Sequence, residues 1–254
     1  MADARERLIV ALDVPSAPEA RRIVATIGDS AQIYKVGKQL FTAEGPQIVR
    51  DLVASGRDVF LDLKYHDIPN TVASAVRMAA QLGVRMLTVH ASGGLRMLRA
   101  AVEAAATASV ATALSPSGGI NSAATRPLIL AVTVLTSLKD EDLTEIGVSG
   151  RVIDQALRLA ALARTAGCGG VVTSAREVRE IRRELGTGFA IVTPGIRPAG
   201  NAKADQERVV TPAEAISAGA SHIVVGRPIT ASPDPAASAR RILDEIASAT
   251  AVTV

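Results

Sequence analysis

Eight short apolar runs recur along the chain. They are residues 8–14 (LIVALDV), 33–37 (IYKVG), 59–64 (VFLDLK), 86–90 (MLTVH), 128–135 (LILAVTVL), 170–174 (GVVTS), 190–195 (AIVTPG) and 222–227 (HIVVGR). Each is mostly continuous rather than strictly alternating, the pattern of a strand covered by helices. Ala-rich stretches of helical spacing lie between them, among them 70–82, 149–165 and 175–185. Thr211-Pro212-Ala213-Glu214 reads as an N-cap, a proline at the first helical position and an acid in the first turn. Gly28, Gly56, Gly83, Gly167 and Gly219 stand where a left-handed residue closes a helix. Eight strand–helix units predict an α/β protein, a (β/α)8 TIM barrel with its site at the C-terminal ends of the strands. The alternative is an open doubly wound sheet with two extra strands. No linker or composition shift divides the chain, so residues 1–254 are expected to form one barrel domain. Two loops stand out by composition: 115–125 (SPSGGINSAAT) and the polar 198–208 (PAGNAKADQER) after the seventh strand. The second is read as a lid over the functional face, against a plain flexible insertion.

Composition narrows the function. Of 254 residues, 48% are hydrophobic and 21% charged, enough apolar material for a core and too much for a mainly disordered chain. Aromatics make up 2%, with no Trp, so base-stacking platforms are missing. The 28 basic and 25 acidic residues leave a net charge of +3 with no long like-charge run, giving nucleic-acid or membrane-surface binding little support. One cysteine, Cys168, excludes an intramolecular disulfide and a cysteine-ligated metal cluster, and suits a reducing cytoplasm. No signal-peptide stretch and no membrane-length apolar window occur, so a cytoplasmic protein is expected.

The third run carries the chemistry. By alternation, Leu61 and Leu63 point one way and Phe60, Asp62 and Lys64 the other. With the leucines on the helices, Asp62 and Lys64 face the barrel axis at its mouth. Charges there are costly unless paired. Asp67 follows three residues later, Lys35 shares a face with Gly37, and Asp13 one with Ala11. Two lysines and up to three aspartates thus converge, either as catalytic groups or as interior ion pairs that fix register. Pro194-Gly195-Ile196-Arg197 and Gly226-Arg227-Pro228 close the last two strands. Each supplies a glycine and an arginine where barrels of this kind hold phosphate, unless the arginines merely face solvent. There is no Walker motif and no G-x-G-x-x-G, so no nucleoside-triphosphate or dinucleotide cofactor is expected.

The run FLDLKYHDIPNT at 60–71 resembles the D-x-K-x-x-D-I-P-x-T signature of the orotidine 5′-monophosphate decarboxylase family. Residues 11–13 (ALD), 35–37 (KVG), 135–137 (LTS), 192–197 (VTPGIR), 205–206 (DQ) and 225–227 (VGR) resemble its other stations, in its order. The resemblance covers nearly the whole chain. It implies decarboxylation of orotidine 5′-monophosphate to uridine 5′-monophosphate, the last step of de novo synthesis, with no metal and no cofactor. It implies that Lys64 is the general acid and that Asp62 sits beside the substrate carboxylate. Lys35 and Asp67 would complete an alternating charge array. It further implies a homodimer in which Asp67 and Thr71 enter the partner's site. Asp13 and Lys35 would bind ribose hydroxyls, and Thr136, or alternatively Ser137, the base. Arg227, Gln206, the backbone at Gly226 and, with Pro194 beside it, Arg197 would hold the phosphate.

The chemistry fits those roles. The departing carboxylate leaves an electron pair with no orbital to spread into, so fixed charge must stabilise it, and an ammonium also supplies the proton. An aspartate against the carboxylate would raise the ground state. Phosphate, far from the reacting carbon, would supply binding energy for closure. His66, His90 and His222 are too dispersed for a metal site, and His90 and His222 read as structural, His90 as hydrogen-bonded. Cys168 reads as packing, and Tyr65 as packing or a dimer contact. Two rivals remain. Metal-dependent sugar-phosphate enzymes share D-x-K-x-x-D but carry an acidic metal ligand in the second strand, where this chain has Lys35. A catalytically dead barrel would only bind a nucleotide or phosphate.

Overall fold

The computed structural model describes residues 4–113, 126–198 and 210–252; the loop 115–125 and all but the first residue of the expected lid 198–208 lie outside them. The strands are β1 (Leu8–Ala11), β2 (Ile33–Gly37), β3 (Asp58–Tyr65), β4 (Met86–His90), β5 (Leu128–Val132), β6 (Gly170–Val172), β7 (Ala190–Thr193) and β8 (His222–Val225). They pair in chain order and close, β1 bonding in parallel to both β2 and β8. The open doubly wound alternative is thereby overturned.

Both faces of the strands are buried, which explains their unbroken apolar runs. Even residues of β1, such as Leu8 and Val10, meet the helices. Odd ones, such as Ile9, join Ile33, Phe60, Met86, Leu130 and Val192 in a separate plug inside the barrel. Each fully buried side chain of this size contributes roughly 1.5–3 kcal/mol. Close approach is also required: a Cβ at Gly170 would run into the Ala190 carbonyl of the neighbouring strand.

Helices follow each strand. Ala17–Ile27 follows β1, Pro69–Ala80 follows β3, Gly94–Ala113 follows β4, Val152–Thr165 follows β5 and Val178–Leu185 follows β6. Thr211 caps Pro212–Ser217 as expected, its hydroxyl accepting from the Glu214 amide while the Glu214 carboxylate accepts from the Thr211 amide. The five expected helix-closing glycines all have positive φ, from 57° to 107°.

Several strands end earlier than their apolar runs. β1 stops at Ala11, β5 at Val132, β6 at Val172, β7 at Thr193 and β8 at Val225. A further backbone bond continues past three of these ends, from the Leu12, Thr133 and Thr173 amides to the Lys35, Val172 and Val192 carbonyls, and the residues beyond stay apolar because they floor the loops; Leu12 and Val134 remain buried. The helix expected over 175–185 starts at Val178, because the buried Glu177 carboxylate accepts from the Ser174 amide and the Thr173 hydroxyl and holds a turn there. The other two start or stop within three residues of expectation.

Cys168 is buried at the start of β6, its thiol pushed up to about 12 by burial, which fits a packing role and no nucleophile. Tyr65 packs against the outer core. No helix among the described residues is long and apolar enough to cross a membrane.

His222 opens β8 at the end of the barrel away from Lys64. Burial, with the charges of Arg85 and Arg7, pushes its imidazole from 6.5 down to about 4. The unfolded chain therefore binds one more proton than the folded chain between those pH values. This contribution to stability is fully present above about pH 6.5 and is lost as pH falls toward about 4, roughly 3 kcal/mol in all. Chemical unfolding of wild type and His222→Gln from pH 7 to pH 4 tests this. The wild type is expected to lose more stability than the variant by that order; parallel pH curves would overturn the assignment.

Candidate active site

The C-terminal ends of β1, β2 and β3 bring four charges into one line. Lys35 Nζ donates to Asp13 Oδ1 at 2.7 Å and lies 3.8 Å from Asp62 Oδ2. Lys64 Nζ donates to both Asp62 oxygens at 2.8 Å. The order in space is Asp13–Lys35–Asp62–Lys64. The Lys35 and Asp62 side chains are only 10% and 12% exposed, whereas that of Asp13 is 55% exposed. Burial of Asp62 is offset by two ammonium groups and a hydroxyl, which is the condition for a charge to persist in such a place.

The backbone is arranged for this line. Gly37 is required, because a Cβ there would meet Lys35 Nζ at 2.8 Å and Asp13 Oδ1 at 2.9 Å. Lys64 sits at φ 54°, the one described non-glycine residue with positive φ. The pairing of β3 with β4 shifts register between Leu61 and Tyr65. Simple alternation predicted the right face for Lys64, but the side chain gets there through a bulge. A lysine in the left-handed region costs of order 1 kcal/mol or more and persists where its surroundings over-determine it.

Sequence reasoning missed Thr88. Its hydroxyl donates to Asp62 Oδ1 at 3.0 Å and accepts from the Lys64 amide at 2.9 Å, so one side chain fixes both the carboxylate and the strained peptide. The available signal was a lone hydroxyl on the inward face of β4, between Met86 and His90.

The other expected residues stand apart from this line. Asp67 is exposed beyond β3, its Oδ1 accepting from the Ile68 amide at 2.6 Å, and it makes no ion pair among the described residues. The expected Lys-Asp-Lys-Asp array is thus not assembled within this chain; Asp13 occupies the end of the line that the resemblance did not place in the array. Thr71 is exposed in the first turn of Pro69–Ala80. Thr136 and Ser137 are exposed in a turn above β5. Asp67 and Ile68 line an open hollow of about 510 Å³ with His66, Pro69, Ser92 and Gly93. Ile68 is a large apolar side chain left exposed here. The His90 ring stands 5.4 Å from that of His66. Burial, then the charges of His66, Lys38 and Lys64, hold His90 below the ordinary imidazole range.

On the other side of the mouth, β7 and β8 end in Pro194-Gly195 and Gly226. Gly195 has φ 79°, and Ile196 bridges to Val210, with the Arg197 amide donating to the Val210 carbonyl at 3.1 Å. Gln206 lies outside the described residues. Arg227 is exposed and directly follows Gly226. Because β8 adjoins β1, the two arginine-bearing strand ends and the charged line occupy neighbouring arcs of one rim. Among the described residues no cluster of three or more His, Cys, Asp or Glu is placed to hold a metal ion.

Comparison with known proteins agrees with this geometry. Residues 6–242 match the model of the Orotidine 5′-phosphate decarboxylase / HUMPS family. An orotidine 5′-phosphate decarboxylase of Moorella thermoacetica is 52% identical over 244 residues, spanning 96% of this chain and 93% of that protein. One from Halorhodospira halophila is 53% identical over 243 residues, spanning 96% and 97%. Among solved structures, orotidine 5′-phosphate decarboxylase from Lactobacillus acidophilus superposes with a TM-score of 0.81 at 37% identity, covering 95% of this chain and 99% of that one. The barrel, the charged line on its rim and the extent of these matches lead to one conclusion: the chain belongs to the Orotidine 5′-phosphate decarboxylase / HUMPS family.

Proposed function

We propose that this protein decarboxylates orotidine 5′-monophosphate to uridine 5′-monophosphate in the cytoplasm, as one barrel domain and without metal or organic cofactor. The observation that carries the reading is the buried Asp62 carboxylate held against the Lys64 ammonium at 2.8 Å, at the rim expected to bind substrate.

The substrate carboxylate, seated beside Asp62, meets a second negative charge in a poorly solvated place. The bond from the ring carbon to the carboxylate breaks, carbon dioxide leaves, and the electron pair stays on the ring carbon. Lys64 Nζ, a fixed cation, stabilises that pair and donates a proton to it; solvent then restores the ammonium. Lys35 stands beside Asp62 at 3.8 Å and, with Asp13, presents donors and acceptors to ribose hydroxyls. Thr136, or Ser137, borders the base. Arg227, Gly226, Pro194, Arg197 and Gln206 hold the phosphate, whose binding energy closes the site around the reacting carbon. A second copy of the chain supplies Asp67 and Thr71, which accounts for their exposure beside an open hollow and the exposed Ile68. With the partner's Asp67 added, the array alternates from Lys35 through Asp62 and Lys64.

The sugar-phosphate reading is less well supported. It asks the carboxylates at this rim to share a divalent cation. Here Lys35 and Lys64 already occupy both sides of Asp62, and a further cation there would face two ammonium groups.

The reading carries the following expected outcomes. Ultraviolet assay of orotidine 5′-monophosphate shows conversion by wild type at an undiminished rate in chelator. Lys64→Ala slows turnover by about 10²–10⁴-fold or more. It still binds uridine 5′-monophosphate, because Asp62 retains Lys35 and Thr88. No conversion by folded wild type, or restoration only by added Mg²⁺, sinks the reading. Steady-state kinetics on orotidine lacking the phosphate should show a lowered kcat as well as a raised KM; an equal kcat removes the closing role of phosphate. Finally, Lys64→Ala and Asp67→Ala proteins, each inactive alone, should on mixing regain about a quarter of wild-type activity, since half the random dimers carry one intact site. No recovery despite subunit exchange refutes the shared site.

A further inference from the structure

The opposite mouth of the barrel is a built cavity that decarboxylation does not use. Asp58, Met86, Leu128 and His222, the first residues of β3, β4, β5 and β8, line a hollow of about 510 Å³ together with Arg85 and Arg126. Arg85 Nη1 donates to Asp58 Oδ2 at 2.6 Å, so the one carboxylate of the hollow is already engaged. Arg126 is exposed, and the bond it makes among the described residues is a long one, 3.4 Å from Nη2 to the Val102 carbonyl. Among the described residues that line the hollow, two guanidinium groups against one carboxylate leave one positive charge uncompensated.

His222 adds a directional donor. Its Nδ1 is shut off from solvent with no hydrogen-bond partner among the described residues. A buried orphan N–H is rarer in proteins than a buried orphan acceptor. Nε2 is the ring nitrogen left to meet an occupant of the hollow, as a donor when it carries the proton of the neutral ring. Burial and the charges of Arg85 and Arg7 keep the ring neutral at pH 7; Asp58, the acid across the hollow, is spent on Arg85. The polar capacity of the hollow thus consists of donors from three side chains, Arg85 and Arg126 ahead of the adjacent β4 and β5 and His222 on β8, with Met86 and Leu128 as apolar wall. An occupant must bring negative charge and several acceptors. A tetrahedral oxyanion meets three such directions, where a planar carboxylate offers two oxygens.

We propose that this mouth is a second anion site, taking a phosphate group between Arg126, Arg85 and His222, at the far end of the barrel from Lys64. The phosphate could be free or carried on a small ester. The site stands independently of the proposed decarboxylation.

The chain has three histidines, so the His222 ring protons can be assigned in an NMR spectrum by comparison with His222→Gln. Inorganic phosphate and, separately, glycerol phosphate are titrated into wild type at pH 7. The expected result is a saturable shift of the His222 signal, with its acid midpoint displaced upward from about 4 in the presence of phosphate. Arg126→Ala, and likewise Arg126→Gln, should weaken the response by about tenfold, the loss of one charge-assisted contact. Arg227→Ala should leave it unchanged. A response to inorganic phosphate alone identifies the free ion, and a response to both identifies a site roomy enough for an ester. An unmoved His222 signal overturns the proposal. So does a shift of equal affinity in the Arg126 variants, or one abolished by Arg227→Ala, which would trace it to the rim at the other end.

Discussion

Asp62 is the constraint on which the functional end of this barrel depends. A carboxylate 12% exposed at the top of an apolar plug is tolerable only while its charge is answered. Lys64, Lys35 and Thr88 answer it from three strands, and each is held in turn by something else. Thr88 grips the Lys64 peptide, Asp13 neutralises Lys35, and Gly37 leaves room for that pair. Removing one member would leave its partner buried and charged, so the line behaves as a unit. The same arrangement suits chemistry in which a localised electron pair must be met by a cation that does not have to reorganise.

The division between rigid and exposed parts follows from the closed sheet. Charges that must be held to within tenths of an ångström are on strands or within two residues of a strand end. Groups that would address the ends of the substrate, Thr136, Arg227 and Arg197, sit on connections beyond β5, β8 and β7. Asp67 and Thr71 also project from such a connection, but outward, beside the exposed Ile68. That placement is of little use to an isolated chain and is well suited to a second copy.

The two mouths of the barrel differ in chemistry. At the C-terminal rim the charges are alternating and mutually satisfied until a substrate intervenes. At the N-terminal mouth one arginine is already paired and the remaining polar groups are donors. Family membership bears on the first mouth and is silent on the second, because fold and family describe a scaffold to which sites are added separately.

The sequence by itself determined the number and order of the strands and marked Lys35, Asp62 and Lys64 as charges standing inside apolar runs. Strands buried on both faces must be continuously apolar, so a charged residue inside such a run is conspicuous. Glycines after helices and the Thr211 cap were legible for a similar reason, since they answer local backbone demands. Tertiary structure alone decided the rest. The apolar runs overshoot their strands because burial continues past the last ladder bond. The position of Lys64 rests on a register shift against β4, and Thr88 matters only because β4 lies beside Asp62, 26 residues away in sequence. Asp13, not Asp67, closes the charged line within one chain, and His222 becomes a donor facing two arginines only once the barrel closes. In each case the deciding contact joins residues distant in sequence, whose meeting is set by the register of a closed sheet and not by any local pattern.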